Sequence, residues 1–144
     1  YQVLYITGKS HYEEFRKNTR FGSNIKVLPY LDNLAGLMRN CDLIVTRAGA
    51  STMSEILALN LPAIFIPSPY VAGNHQYYNA LEIVKNNAGL MIEEDKLNGE
   101  VLFNMVTELL NDKQKYEIMK MNLRNLGKTD SSKIIVDEIK ELIK

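Results

Sequence analysis

An α/β domain built on a mostly parallel sheet is the fold this sequence predicts. Three observations carry the prediction. Five short apolar runs recur through roughly the first two-thirds of the 144 residues. Helical patterns lie between them rather than hairpin turns, and strands alternating with helices produce parallel neighbours. Beyond residue 97 the pattern is helical throughout.

The runs read as strands are Gln2 to Thr7, Ile25 to Pro29, Asp42 to Thr46, Ala63 to Pro67 and Gly89 to Ile92. Ser10-x-x-Glu13 has the form of a capping box and opens the first helix. Asp32 is placed to cap a short helix over Asn33 to Arg39. Thr52 to Asn60 forms another, stopped by Pro62. His75 to Asn87 is longer, with Gly89 fitting just past its end. The terminal helices are expected over about Asn98 to Asn111, Lys113 to Asn125 and Ser131 to Lys144, Lys-rich but with interspersed acids and therefore solvated. In such a sheet ligands lie beyond the carboxyl ends of the strands, which here means residues 7–10, 29–33, 46–52 and 67–76. The sequence is read as one domain spanning 1–144, with a helical C-terminal segment from about residue 98.

Composition narrows the function. Lys plus Arg and Asp plus Glu both number 17, so no basic excess points to nucleic acid. A single cysteine, Cys41, excludes an internal disulfide or a thiolate cluster and reads as a buried inert thiol. The two histidines, His11 and His75, have no cysteine or carboxylate at ligand spacing, so no metal is expected. No apolar run reaches membrane-spanning length. The chain opens at Tyr1 and enters a strand at once, as expected of a fragment or a processed chain.

Residues 42–59 hold the strongest functional signal. The strand Asp42 to Thr46 runs into Arg47-Ala48-Gly49-Ala50-Ser51-Thr52-Met53-Ser54-Glu55 and then a helix. A strand, a Gly-containing turn and a helix N-terminus together favour a phosphate, through unpaired N–H groups and the helix dipole. Glu55 lies one turn further in, where a carboxylate accepts from the two hydroxyls of a ribose. The competing reading makes Thr52-x-x-Glu55 a capping box with no further role. Near a second strand end, Pro67-Ser68-Pro69 leads into Asn74 to Ala80. There His75, Gln76 and Asn79 share a helical face and offer the donors and acceptors that sugar hydroxyls need. Its alternative is Asn74 capping and a solvated face. At Pro29 to Leu34, the backbone could read a planar base with Leu31 and Leu34 as apolar walls; otherwise this is a turn with an Asp cap. Gly8-Lys9-Ser10 is like the tail of a P-loop, but Val3 occupies the place of its first glycine, so a turn is the better reading. No Ser/His/Asp arrangement or paired carboxylates suggest hydrolysis.

These segments resemble the C-terminal, donor-binding half of the MurG glycosyltransferase family. The likeness is carried by Leu31-Asp32, by the Arg-x-Gly-Ala-x-Thr-x-x-Glu core within Asp42 to Glu55, by Leu61-Pro62-Ala63 leading to Ile66-Pro67, and by His75-Gln76-Tyr77-Tyr78-Asn79-Ala80. It implies a GT-B fold, here a Rossmann-like parallel sheet with flanking helices. It implies inverting transfer of N-acetylglucosamine from UDP-GlcNAc to the lipid-linked muramyl-pentapeptide, lipid I, making lipid II. By motif position, Glu55 would hold the ribose hydroxyls, while the backbone at Leu31 would read uracil beside Leu34. Gly49, Ala50, Ser51 and Thr52 would line the diphosphate and sugar region, with Arg47 supporting the loop. Gln76, with His75 and Asn79, would contact the GlcNAc hydroxyls, although the family often has Gln-Gln where His75-Gln76 stands. No catalytic residue, cofactor or metal is implied within this chain.

The family's acceptor-binding N-terminal domain, with its membrane-docking patch and general base, has no counterpart here. Neither has the donor domain's first strand with its Gly-rich loop. The expectation is a fragment unable to catalyse transfer alone, from a protein peripheral to the cytoplasmic face of the bacterial plasma membrane. The first strand of a 3-2-1-4-5-6 sheet is central. Without it strands 2–6 and 42–46 each expose an apolar edge, and they either close on each other, accept a strand from another chain, or border residues not present in this sequence. Alternatives to the main reading are a related lipid or natural-product glycosyltransferase, a nucleotide-sugar-binding subunit of a two-chain enzyme, and a UDP-GlcNAc epimerase, for which no convincing carboxylate pair is present.

Overall fold

The computed structural model describes residues 1–127 and 131–143. The chain divides into two compact units, Tyr1–Leu37 and Met38–Lys144. Lys144, the end of the last expected helix, lies outside the described residues.

In the first unit, β1 (Val3–Ile6) and β2 (Ile25–Leu28) form a parallel pair with Val3 opposite Ile25. Helix α1 (Tyr12–Asn18) is the crossover between them. The turn into it is made by Gly8 at φ +80°, which only glycine adopts without strain. The expected Ser10 capping box does not form. The helix starts later, with His11 at the cap position and no side-chain cap bond. A short helix, α2 (Leu34–Met38), follows β2. Its cap is Asn33, whose Oδ1 accepts from the Gly36 N–H at 2.8 Å, and not Asp32. No residue of this unit is fully buried. Its packing is an aromatic row, Tyr5–Phe15–Phe21, with ring centroids 4.9 and 5.3 Å apart.

The second unit holds a three-stranded parallel sheet in the order β3 (Ile44–Thr46), β4 (Ala63–Phe65), β5 (Leu90–Met91). Helix α3 (Ala50–Leu59) connects β3 to β4, and α4 (His75–Lys85) connects β4 to β5. Every residue of β4 is fully buried, as a strand paired on both edges and covered on both faces must be. Each strand is shorter than its apolar run, because the ladder forms only where a neighbour is in register. Among the described residues β1 is paired with β2, and β3 with β4.

Helix ends follow left-handed residues more than the expected signals. Asn60 (φ 51°) ends α3 ahead of Pro62, and its N–H bonds back to the last turn. Asn87 (φ 51°), and not Gly89, makes the left-handed turn after α4. Gly89 has a packing reason instead. A Cβ there would lie 2.9 Å from Phe65 and 3.0 Å from Ile83 side-chain atoms.

Helices α5 (Gly99–Asn111) and α6 (Lys113–Leu126) begin at Asn98 and Asp112, whose side chains accept from the N–H groups of Val101 and Lys115. Leu109, Met119 and Leu123 join the core. The Tyr116 hydroxyl donates to the Asp42 carbonyl at 2.8 Å, tying α6 to the entry of β3; burial, then Asp42 and Glu117, push that hydroxyl above its ordinary pKa. Cys41 is half-buried rather than buried, and burial, then Asp42, raises its thiol. Helix α7 (Ser131–Leu142) has only exposed residues among those described. No helix among the described residues is long and apolar enough to cross a membrane.

Gly89→Ala is expected to lower the unfolding free energy by about 1–3 kcal/mol, the usual cost of overpacking a filled core. Urea denaturation followed by circular dichroism measures it, and an unchanged midpoint would mean Phe65 and Ile83 can give way freely.

Candidate site at the strand ends of the second unit

Parallel strands put the carboxyl ends of β3, β4 and β5 on one rim. The first loop, 47–49, leads straight into α3. Gly49 is the cap residue, in extended conformation at φ −72° and ψ 144°, and its carbonyl accepts from the Met53 N–H at 3.0 Å. That helix begins at Ala50, two residues before the expected start. Thr52 is thus inside the first turn, and the capping box between Thr52 and Glu55 is not formed. No side chain caps the helix. The N–H groups of Ala50, Ser51 and Thr52 precede the first intrahelical bond and, among the described residues, are open at the positive end of a ten-residue helix. Gly49 adopts a backbone that any residue tolerates, and a Cβ there would meet nothing within 4 Å. Packing within the protein gives no reason for glycine here, and the bare backbone leaves room for a group to approach closely.

Met53 and Ile56 of α3 are buried. Ser51 and Glu55, spaced i and i+4, share the exposed face. The Glu55 carboxylate has no hydrogen-bond or ion-pair partner among the described residues, so helix capping does not occupy it.

Of the other expected site residues of this unit, Arg47 and Asn79 tie separate rim segments together, while Gln76 and His75 bond within the segment after β4. Arg47 Nη1 donates to the Ile66 carbonyl at 3.1 Å and pairs with Glu94 Oε2. Asn79 Nδ2 donates to the Ala48 carbonyl at 3.1 Å. The Ser68 N–H donates to Gln76 Oε1 at 2.9 Å. His75 Nδ1 donates to the Ala72 carbonyl at 2.9 Å, within its own turn. That turn is tight: Gly73 and Asn74 both have positive φ, and Asn74 makes no side-chain cap bond. Among the described residues each amide keeps a free half, NH2 on Gln76 and the carbonyl oxygen on Asn79, and His75 keeps Nε2. Leu31 and Leu34 belong to the first unit. There Leu31 follows β2 and Leu34 opens α2, both half-buried.

Sequence reasoning passed over Glu94. The signal was present: the acidic run Glu93-Glu94-Asp95 follows β5 at the same rim as Arg47. Among the described residues no three His, Cys, Asp or Glu side chains group to hold a metal ion.

Comparison with known proteins places this rim in a family. The model of the glycosyltransferase family 28 C-terminal domain matches residues 1–138. The chain belongs to that family. Among curated relatives, the UDP-N-acetylglucosamine--N-acetylmuramyl-(pentapeptide) pyrophosphoryl-undecaprenol N-acetylglucosamine transferase of Listeria monocytogenes is 37% identical over 100% of this chain and 40% of its own length. That of Limosilactobacillus reuteri is 39% identical over 92% of this chain and 37% of its length. The crystal structure of MurG from Acinetobacter baumannii superposes with a TM-score of 0.83 at 26% identity, covering 97% of this chain and 41% of that one. The family-28 chain thus spans about two-fifths of the length of these relatives. The likeness supports the expected fold class, parallel sheets with flanking helices in the manner of a GT-B glycosyltransferase.

Asn79→Asp, which replaces the donor to the Ala48 carbonyl by an acceptor, is expected to destabilise this family-28 domain by about 1–3 kcal/mol. Urea denaturation beside wild type measures it; equal stability would show that the Asn79 bond does not hold the loop.

Proposed function

We propose that this chain supplies the donor site of a UDP-GlcNAc-dependent glycosyltransferase, one that moves N-acetylglucosamine to a lipid-linked muramyl-pentapeptide. The observation that carries the reading is the start of α3, where three open N–H groups, a bare Gly49 backbone and an unpartnered Glu55 share one end and face of a helix. Ala50 and Glu55 are separated by roughly 7–8 Å along the helix axis. A diphosphate at the N-terminus therefore brings an attached ribose alongside the Glu55 carboxylate. The relatives named above act on such a donor and acceptor by their names, which supports UDP-GlcNAc and lipid I in preference to other pairs.

In this reading the chain is one donor-binding domain. The diphosphate lies on the amides of Ala50, Ser51 and Thr52 beside Gly49, and Glu55 accepts from both ribose hydroxyls. The free NH2 of Gln76, the Asn79 carbonyl oxygen and His75 Nε2 face the GlcNAc hydroxyls, while Arg47 braces the loop. As the glycosidic bond to the donor breaks with inversion, negative charge grows on the leaving diphosphate. Fixed N–H dipoles stabilise that charge with no reorganisation, so the design calls for no metal. The acceptor and its general base belong to regions of the enzyme outside this chain, as does peripheral attachment to the cytoplasmic face of the membrane.

Calorimetric titration of the chain with UDP and with UDP-GlcNAc tests the reading. Both are expected to bind saturably, and Glu55→Ala to weaken both by about tenfold or more, the worth of a charge-assisted hydrogen bond (~1.5 kcal/mol). A folded chain that binds neither nucleotide, or a Glu55→Ala variant that binds as well as wild type, would overturn it.

A further inference from the structure

Glu94 has no part in the donor reading, yet it holds the rim together. It opens the single 3-10 turn Glu94–Lys96 just beyond β5, where the Ile92 N–H still bonds the Phe65 carbonyl at 2.9 Å. The strand ladder therefore anchors the backbone two residues before Glu94. One nitrogen, Arg47 Nη1, reaches both Glu94 and the Ile66 carbonyl. Arg47 thereby joins the loops after β3, β4 and β5. The next carbonyl, that of Ala48, is gripped by Asn79 from α4. Beyond the last ladder bond, Ile66 N–H to Thr46 O at 2.8 Å, these side chains from other elements hold the segment that aims α3. Gly49 adds no restraint of its own, since its side is empty and no side chain caps the helix.

We infer that Glu94 is a positioning residue for the donor diphosphate: by holding Arg47 against the Ile66 carbonyl, it fixes the 47–49 turn and so the aim of the open α3 amides. The inference rests on the donor-site reading above. Two physical effects of removing Glu94 have opposite signs. Loss of the brace lets the turn wander, and oriented N–H groups lose effect steeply when displaced. Loss of a negative charge on the rim, with Arg47 released, by itself strengthens attraction for a diphosphate. The direction of the change therefore reports which role Glu94 has. Stability is a poor readout, because Arg47 and Glu94 are 49% and 30% exposed and ion pairs of that kind contribute little. For the same reason the variants remain folded.

UDP and uridine are titrated against wild type, Glu94→Gln, Arg47→Ala and the double variant, with circular dichroism as the folding check. Glu94→Gln is expected to weaken UDP by ~3- to 10-fold while leaving uridine unchanged, since only the diphosphate meets the α3 amides. In the Arg47→Ala background the same substitution is expected to have no further effect, because Glu94 acts through Arg47. Wild-type UDP affinity in Glu94→Gln, tighter binding, a loss shared equally by uridine, or additive losses in the double variant would each overturn the inference and leave the donor site standing. A folded wild-type chain that binds neither UDP nor uridine would remove the donor site, and the role of Glu94 with it.

Discussion

Strand β4 is the constraint from which the second unit follows. Ala63, Ile64 and Phe65 are wholly buried, with parallel partners along both edges. A strand so enclosed has no freedom of register, because a shift of one residue would turn its apolar side chains about and break two ladders at once. Its position dictates those of β3 and β5, and parallel pairing brings all three carboxyl ends to one rim. Phe65 also explains a residue far along the chain: its ring lies where a side chain at position 89 would be, so glycine stands there.

At that rim, polar side chains serve the fold with one half and leave the other half free. Arg47 and Asn79 hold the 47–49 turn, and Gln76 holds the loop that begins at Ser68. Each bond is made to a backbone group or a carboxylate at the mouth of the sheet. The turn that they hold is followed by helix α3, whose first amides have no partner among the described residues. Rigid loops and open amides are complementary: a helix N-terminus attracts an anion wherever it points, but selects one only when it is aimed.

The sequence made the elements legible and their ends less so. All five strands and all of the expected helices are present near their expected places, because alternation of apolar runs and helical periodicity records burial directly. Caps read at Ser10 and Asp32, and in the competing reading at Thr52, do not form, for a common reason. A capping residue acts only where the backbone turns from extended to helical, and that point is set by how the chain leaves the preceding strand. Beyond β3 the turn falls at Gly49, so α3 starts early and Thr52 is already within it. Left-handed asparagines at 60 and 87 did the work expected of Pro62 and Gly89. Of the site, the α3 N-terminus with Gly49 and Glu55 was readable because all of it lies within one short segment.

The sequence by itself determined the α/β class, the order of strands and helices, and the motifs from Arg47 to Glu55 and from His75 to Asn79 that mark the glycosyltransferase family. These are local properties, written in spacing and residue type. Only the tertiary structure decided what Arg47, Gln76 and Asn79 bind, and that Glu94 belongs with them. Arg47 and Glu94 are separated by 47 positions, and Ala48 and Asn79 by 31. Their meeting depends on the parallel register of β3, β4 and β5, and register is a property of the whole sheet rather than of any stretch of chain.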